Sequence, residues 1–371
     1  MFARGETILQ LMERLAPKHY AVPDDKIGLQ VGSAAKPVSR VLVTLDVTPA
    51  VVNEAASLGA ELIIAHHAVI YRPLAHLRTD TPAGALAAEL LRKDIAVYIS
   101  HTNLDTTEGG MNDWMAEALE LTGRDVLEEV HTDKLYKLVV FVPETHHEKV
   151  RDAIFSAGAG WIGNYSHCSF NIEGTGTFLP REGSDPFIGK QGKLTHAKEV
   201  RLETVVPLSA RKRVISAMLK AHPYEEVAYD LYSMDLKGRS FGLGRVGVLP
   251  ATESLDQFAE RVKAAFQVPF VRMVGDGSKP IRKVAVLGGA GAKYIRHAMF
   301  AGADVLVTGD IDFHSAQDAL AAGMSIIDPG HHAEKIMKIN VAKWLTEQLI
   351  NKGYTTEVFA SEIDTEPFQL R

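Results

Sequence analysis

Glu61-Leu62-Ile63-Ile64-Ala65-His66-His67 is a short aliphatic run closed by two histidines. A run this short reads as a strand buried on both faces rather than as a helix, which needs ten or more residues. RVLVTLD (40–46) reads the same way, with β-branched residues in a short apolar stretch. Between the two, Pro49 fits a helix start, and PAVVNEAASLG runs to a natural stop at Gly59. Downstream, a helical pattern over 82–93 leads to the strand AVYIS (96–100), which ends in HTNLD (101–105). Upstream, TILQLMERL (7–15) has helical apolar spacing. Strand–helix–strand alternation predicts an α/β fold with a mainly parallel sheet covered by helices.

From about residue 134 the texture changes. KLVVFV (137–142) is followed by a helical stretch from His147 to Ala157, then by a polar, Gly-rich region reaching to about 193. VRLETVV (200–206), a helix over 209–221 and HPYEEVAYDLY (222–232) follow. That order predicts an inserted α+β domain of the ferredoxin-like, split β-α-β kind over 132–240. The N-terminal lobe is then 1–131 and the C-terminal lobe 241–371.

The C-terminal lobe contains an echo of the N-terminal one. Laying Val41–His67 on Val284–Asp310 at a constant offset gives five identities: Val41/Val284, Val43/Val286, Ala55/Ala298, Gly59/Gly302 and Ala60/Ala303. The layout of strand, helix, Gly-Ala stop, acidic residue and second strand matches better than the identities do. A duplication and the shared grammar of two βαβ units both account for this.

The 371 residues are 46% hydrophobic and 23% charged, an ordinary globular composition for two or three domains. A net charge of -6 with pI near 6.2 supplies no electrostatic reason for nucleic-acid binding. The longest basic step, Arg211-Lys212-Arg213, reads as a solvated helix face. The single cysteine, Cys168, excludes an intrachain disulfide and any cysteine-rich zinc or iron–sulfur site. The charged N-terminus does not read as a signal peptide, and no long apolar stretch suggests a membrane span. A cytoplasmic location is the expectation.

Functional groups in parallel α/β sheets gather at the carboxyl ends of strands. That rule selects His66, His67, His101, Asn103, Asp105, Thr308, Asp310, His331, His332 and Glu334. Imidazole with carboxylate and no thiolate suits zinc, iron, manganese, cobalt or nickel. Adjacent His66 and His67 point to opposite sides of an extended chain, which suits two metals or one metal and a supporting role. Alternatively, one is a buried, backbone-bonded histidine and the other a solvated one. Asp105 is a ligand or a capping residue. His331 and Glu334, three apart, share one face of a helix start for which Asp328 and Pro329 supply cap and first turn.

A family resemblance follows from these segments. DKIGLQVG (25–32), TLDVTPAVVNEA (44–55), IIAHHAVIYRPL (63–74), SHTNLDTTEGGMNDWMAEAL (100–119), GADVLVTGDIDFHSAQDA (302–319) and IDPGHHAEK (327–335) resemble the NGG-interacting-factor-like family, also called GTP cyclohydrolase 1 type 2 homologues. The resemblance implies two divalent metal ions per chain, zinc foremost. His66 and Asp105 would bind one, His67 and His331 the other, and Glu334 would bridge. His101 and Asp310 would serve as supporting or proton-carrying groups. It also implies two related α/β lobes forming one metal-binding core, a CutA/PII-like insert, a toroidal homo-hexamer and a small-molecule or nucleotide substrate. Two departures stand out: Asp24-Asp25-Lys26 replaces a Trp-Asp-Asn run, and Ala68 replaces the proline of a His-His-Pro motif. Neither falls on the five proposed ligands.

Overall fold

The computed structural model describes residues 1–369. The chain divides into two compact units, one of Met1–His131 with Phe241–Arg371, the other of Thr132–Ser240. The boundaries fall inside two long strands, Thr122–Pro143 and Tyr229–Ser254.

In the first unit a five-stranded sheet runs in the order Glu357–Ala360, Arg40–Thr44, Leu62–Ala65, Ala96–Ile99, Gly28–Val31. The first four strands are parallel and the last is antiparallel. The helix Pro49–Leu58 begins where the sequence suggests: the Thr48 hydroxyl accepts from the Val51 amide at 3.3 Å, and Pro49 takes the first turn. It stops at Gly59, whose φ of 67° is the left-handed cap that glycine adopts without penalty.

A second set of parallel strands, Pro280–Ala290, Val305–Gly309 and Ser325–Asp328, is flanked by antiparallel neighbours at Arg272–Val274 and over 245–254. The echo seen in the sequence extends to strand pairing. Val41 lies opposite Leu62 and Val284 opposite Val305, which are equivalent positions in the two segments. Gly302, at φ 71°, turns the chain where Gly59 does.

The two ends of the chain share one core. Ile8, Val41 and Ile64 are buried in the same cluster as Val284, Val307 and Leu345. The strand Glu357–Ala360 joins the sheet of the N-terminal segment outright. A buried ion pair pins the helix Met111–Ala118: Arg245 Nε and Nη2 each reach an Asp113 carboxylate oxygen at 2.8 Å. The guanidinium also donates to the carbonyls of Thr107, Gly242 and Gly244.

The second unit has its own core, with Leu138, Val140, Ile154, Leu202, Val206, Val214 and Met218 fully buried. Its helices are His147–Ser156 and Arg211–Ala221. Numbered within the unit, its four strands stand in the order fourth, first, third, second, the split β-α-β arrangement. Its second strand, Ser169–Phe178, lies in the polar, Gly-rich region. The strand stands at a sheet edge with most of its side chains exposed, so no alternation of apolar and polar residues marks it. No helix of the described residues is long and apolar enough to cross a membrane.

Candidate metal centre

Each candidate residue stands where a backbone element ends. His66 and His67 follow the strand Leu62–Ala65, and His101 follows Ala96–Ile99. Asp105 lies in the single-turn helix Thr102–Thr106, and His331 and Glu334 lie in the 3-10 turn His331–Lys335. That turn differs from the expected helix start. Asp328 remains in its strand, and its carboxylate accepts from the amides of Gly330 and Ile311 and from Arg272. Gly330, at φ 82°, then redirects the chain so that His331 and Glu334 face back toward the strand ends.

Three groups of possible ligand atoms lie within 4.8 Å of one another: His66 with His67 and His101; His67 with His331 and Glu334; His66 with Asp105 and Glu334. Glu334 Oε2 is 3.1 Å from His67 Nε2, 3.3 Å from His331 Nε2 and 3.8 Å from His66 Nε2. His101, expected in a supporting place, stands inside the ligand-type cluster, its ring centroid 5.0 Å from that of His66.

The imidazoles are aimed by partners on their far nitrogens. His66 Nδ1 meets the Ser100 carbonyl at 2.9 Å, and His67 Nδ1 meets Asp46 Oδ1 at 2.7 Å. His101 Nδ1 meets Asp25 Oδ1 at 2.9 Å, and His331 Nδ1 meets Asp310 Oδ2 at 2.7 Å. An imidazole that donates through one nitrogen offers the other as a fixed lone pair, the usual support of a metal-ligating histidine. Asp310 does so from φ 56°, a left-handed backbone that aspartate tolerates better than most residues.

Two of these supporting carboxylates were missed in the sequence. Asp46 closes the strand-like run 40–46, so the rule that selected His66 also selects it. Asp25 lies in a loop and carries no strand-end signal. It holds His101 and also accepts from the Thr102 amide and hydroxyl, so the departure from the Trp-Asp-Asn run lies beside the cluster. Two glycines were missed as well. A Cβ at Gly288 or Gly289 would lie 2.9 Å from Glu334 Oε1, so both make room for that carboxylate.

The site fits a cation. His66 Nε2 and Asp105 Oδ1 are buried, have no hydrogen-bond partner and stand 3.6 Å apart. Leaving two such groups unpaired costs roughly 1–3 kcal/mol each. A divalent cation held by the imidazole nitrogen and the carboxylate oxygen would satisfy both. The electrostatics agree. Burial raises the Asp105 carboxyl to about 6. Burial also works against ionised Glu334, but His66, His331 and His67 outweigh it and hold Glu334 well below the carboxylate range. Burial opposes a charged His67, yet Asp46 and Glu334 raise it to about 10. The hydrogen bond to Glu334 is the largest influence on His331, raised to about 9. The buried carboxylates therefore favour positive charge beside them, whether protons on these rings or a cation.

Fold and site together define an α/β protein with a histidine–carboxylate cluster gathered at strand ends. The chain belongs to the Duf34/NIF3 (NGG1p interacting factor 3) family, whose model matches residues 3–367. It is 53% identical over 366 residues to the GTP cyclohydrolase 1 type 2 homolog of Halalkalibacterium halodurans, covering 99% of this chain and 98% of that one. It is also 53% identical to the homolog of Bacillus subtilis, over 364 residues and 98% of each chain. The crystal structure of a Bacillus cereus protein related to NIF3 superposes with a TM-score of 0.94 at 49% identity, over 100% of both chains.

Proposed function

We propose that the chain binds two divalent metal ions, zinc foremost, and uses them to hydrolyse a small molecule of the purine-nucleotide class. The observation that carries this reading is Glu334, whose carboxylate belongs to two ligand groups at once. His66 and Asp105 would complete one site and His67 and His331 the other. Two such ions, when bound, supply Lewis acidity toward an electrophile and lower the pKa of water. The chain's own residues do the rest. Asp25 fixes His101, whose side chain is 29% exposed and can carry a proton to or from solvent. Asp46 and Asp310 hold His67 and His331 in orientation. His67 and His331 keep 25% and 39% of their side-chain surface exposed, so the cluster is open on one side to a ligand.

The nucleotide class rests on the relatives' printed names. The split β-α-β order of the second unit supports its reading as CutA/PII-like. For assembly, the homo-hexamer that the family resemblance implies is proposed. Elemental analysis of protein purified without added metal should return about two ions per chain. The same preparation should open or cleave GTP, and activity should disappear with chelator and return with zinc. One ion per chain would remove the bridging role of Glu334. Two ions with no turnover of any nucleotide would leave metal handling as the function.

A further inference from the structure

The second unit contains a cavity of about 410 Å³ that the metal centre does not touch. Pockets of this size hold small organic ligands. Aromatic rings form much of its wall. The Tyr224 ring centroid is 6.0 Å from that of Phe178 and 6.3 Å from that of Phe187, and Phe141 lines the cavity as well.

Among the described residues that line it, the charged ones are Glu199, Glu225 and Glu226, with no lysine, arginine or histidine. Glu225 is exposed, and its carboxylate accepts from the Asp185 amide, tying down the loop that carries Phe187. Glu199 is different, for it is 8% exposed. Among the described residues the only hydrogen bond of its carboxylate is from the Tyr224 hydroxyl, at 2.8 Å to Oε1, and no lysine or arginine pairs with it. Its other oxygen, Oε2, lies where a Cβ on residue 176 would come within 2.1 Å, a place open only because residue 176 is glycine. A buried carboxylate without a cationic partner is costly. Aromatic faces attract cations and are indifferent to neutral apolar groups of the same shape. The three carboxylates do not converge on one point, and they are absent from the groups able to hold a metal ion among the described residues.

We propose that this cavity binds a small organic cation, a protonated or quaternary amine, seated among Phe178, Phe187 and Tyr224 with Glu199 as its counter-ion. The absence of cationic side chains from the wall makes anionic ligands, free phosphates included, poor occupants.

Isothermal titration of the full chain with three benzyl compounds tests this. The benzyltrimethylammonium ion should bind saturably. Benzyl alcohol, which keeps the ring but lacks the charge, should bind about tenfold more weakly, and benzoate should not bind. Glu199→Gln should weaken the cation about tenfold while leaving benzyl alcohol unchanged. Phe187→Ala, at a half-exposed position, should weaken the cation several-fold. Thermal melting confirms that both variants are folded. Benzoate binding as well as the cation, absence of heat with the cation, or the same cation affinity in both folded variants would each overturn the proposal.

Discussion

Glu334 is the residue common to the two proposed metal sites, one with His66 and Asp105 and the other with His67 and His331. Glu334→Gln keeps the size but places an amide donor where a cation needs an oxygen. Both metals should be lost together, whereas Asp105→Ala should release mainly the one beside His66 and His331→Ala mainly the other. Metal stoichiometry across the three variants checks the assignment. It fails if Glu334→Gln keeps both ions while Asp105→Ala loses both. Asp46→Asn, which loosens His67 without removing a proposed ligand, should cost less, about 10–100-fold in affinity. His222 makes a different prediction. Its ring is buried, donating from Nε2 to the Phe141 carbonyl at 3.0 Å and accepting at Nδ1 from the Tyr224 amide at 3.1 Å. A proton on Nδ1 breaks the second bond. Burial and, more weakly, His146 lower its pKa below 6.5, against the opposing pull of the Phe141 carbonyl and Glu199. The unfolded chain therefore takes up this proton first, and the contribution of His222 to stability is present above pH 6.5 and lost as pH falls below it. Denaturant titration of wild type and His222→Gln at pH 7.5 and 5.5 should show the wild-type advantage shrinking at the lower pH. An advantage that grows would show that His222 is charged in the folded chain.

The elements that present the cluster are short and are held by polar side chains rather than by helical propensity. The helix Met111–Ala118 is fixed by Asp113 against Arg245, both nearly buried. Its Asn112 donates to the Asp105 carbonyl at 2.9 Å and accepts from the Gly288 amide at 2.9 Å. Removing one partner of a buried ion pair strands the other, at a cost of roughly 3–5 kcal/mol. Asp113→Asn should therefore lower unfolding free energy by about that amount, measured by urea titration. It should also weaken metal binding at Asp105 through the shifted helix. A loss under about 1 kcal/mol would mean that water replaces the carboxylate at little cost. The sequence showed these elements unevenly. The buried strands were legible because a run such as Leu62–Ala65 has no solvent face. Ser169–Phe178 was not, because an edge strand with exposed side chains imposes no such pattern.

At the scale of the molecule, all five proposed ligands lie in the unit formed by the two ends of the chain. Within that unit the rings of His131 and Phe241, which flank the second unit in sequence, are 6.2 Å apart. A short linker can therefore replace residues 132–240. The shortened protein should stay soluble and keep its metal content, since the two units have separate hydrophobic clusters. A folded deletion, judged by circular dichroism, that binds no metal would show that the second unit contributes to the centre.

Sequence by itself determined the local facts. Apolar runs closed by polar residues fix which segments are strands and which side chains stand at their carboxyl ends, and this is why His66, His67, His101 and Asp105 were selected together. Internal periodicity also determined the echo between the segments beginning at Val41 and Val284, since a strand–helix–strand unit sets its own pairing register. Tertiary structure alone decided what joins them. The strand Glu357–Ala360 enters the sheet of the N-terminal segment, and Glu334 comes within 3.1 Å of His67 across 267 residues of chain. Such contacts depend on how whole faces pack, and no local pattern encodes the partner. The same holds for Asp25 on His101 and for the cavity around Glu199. Each is built from residues that look like ordinary polar surface until the fold buries them side by side.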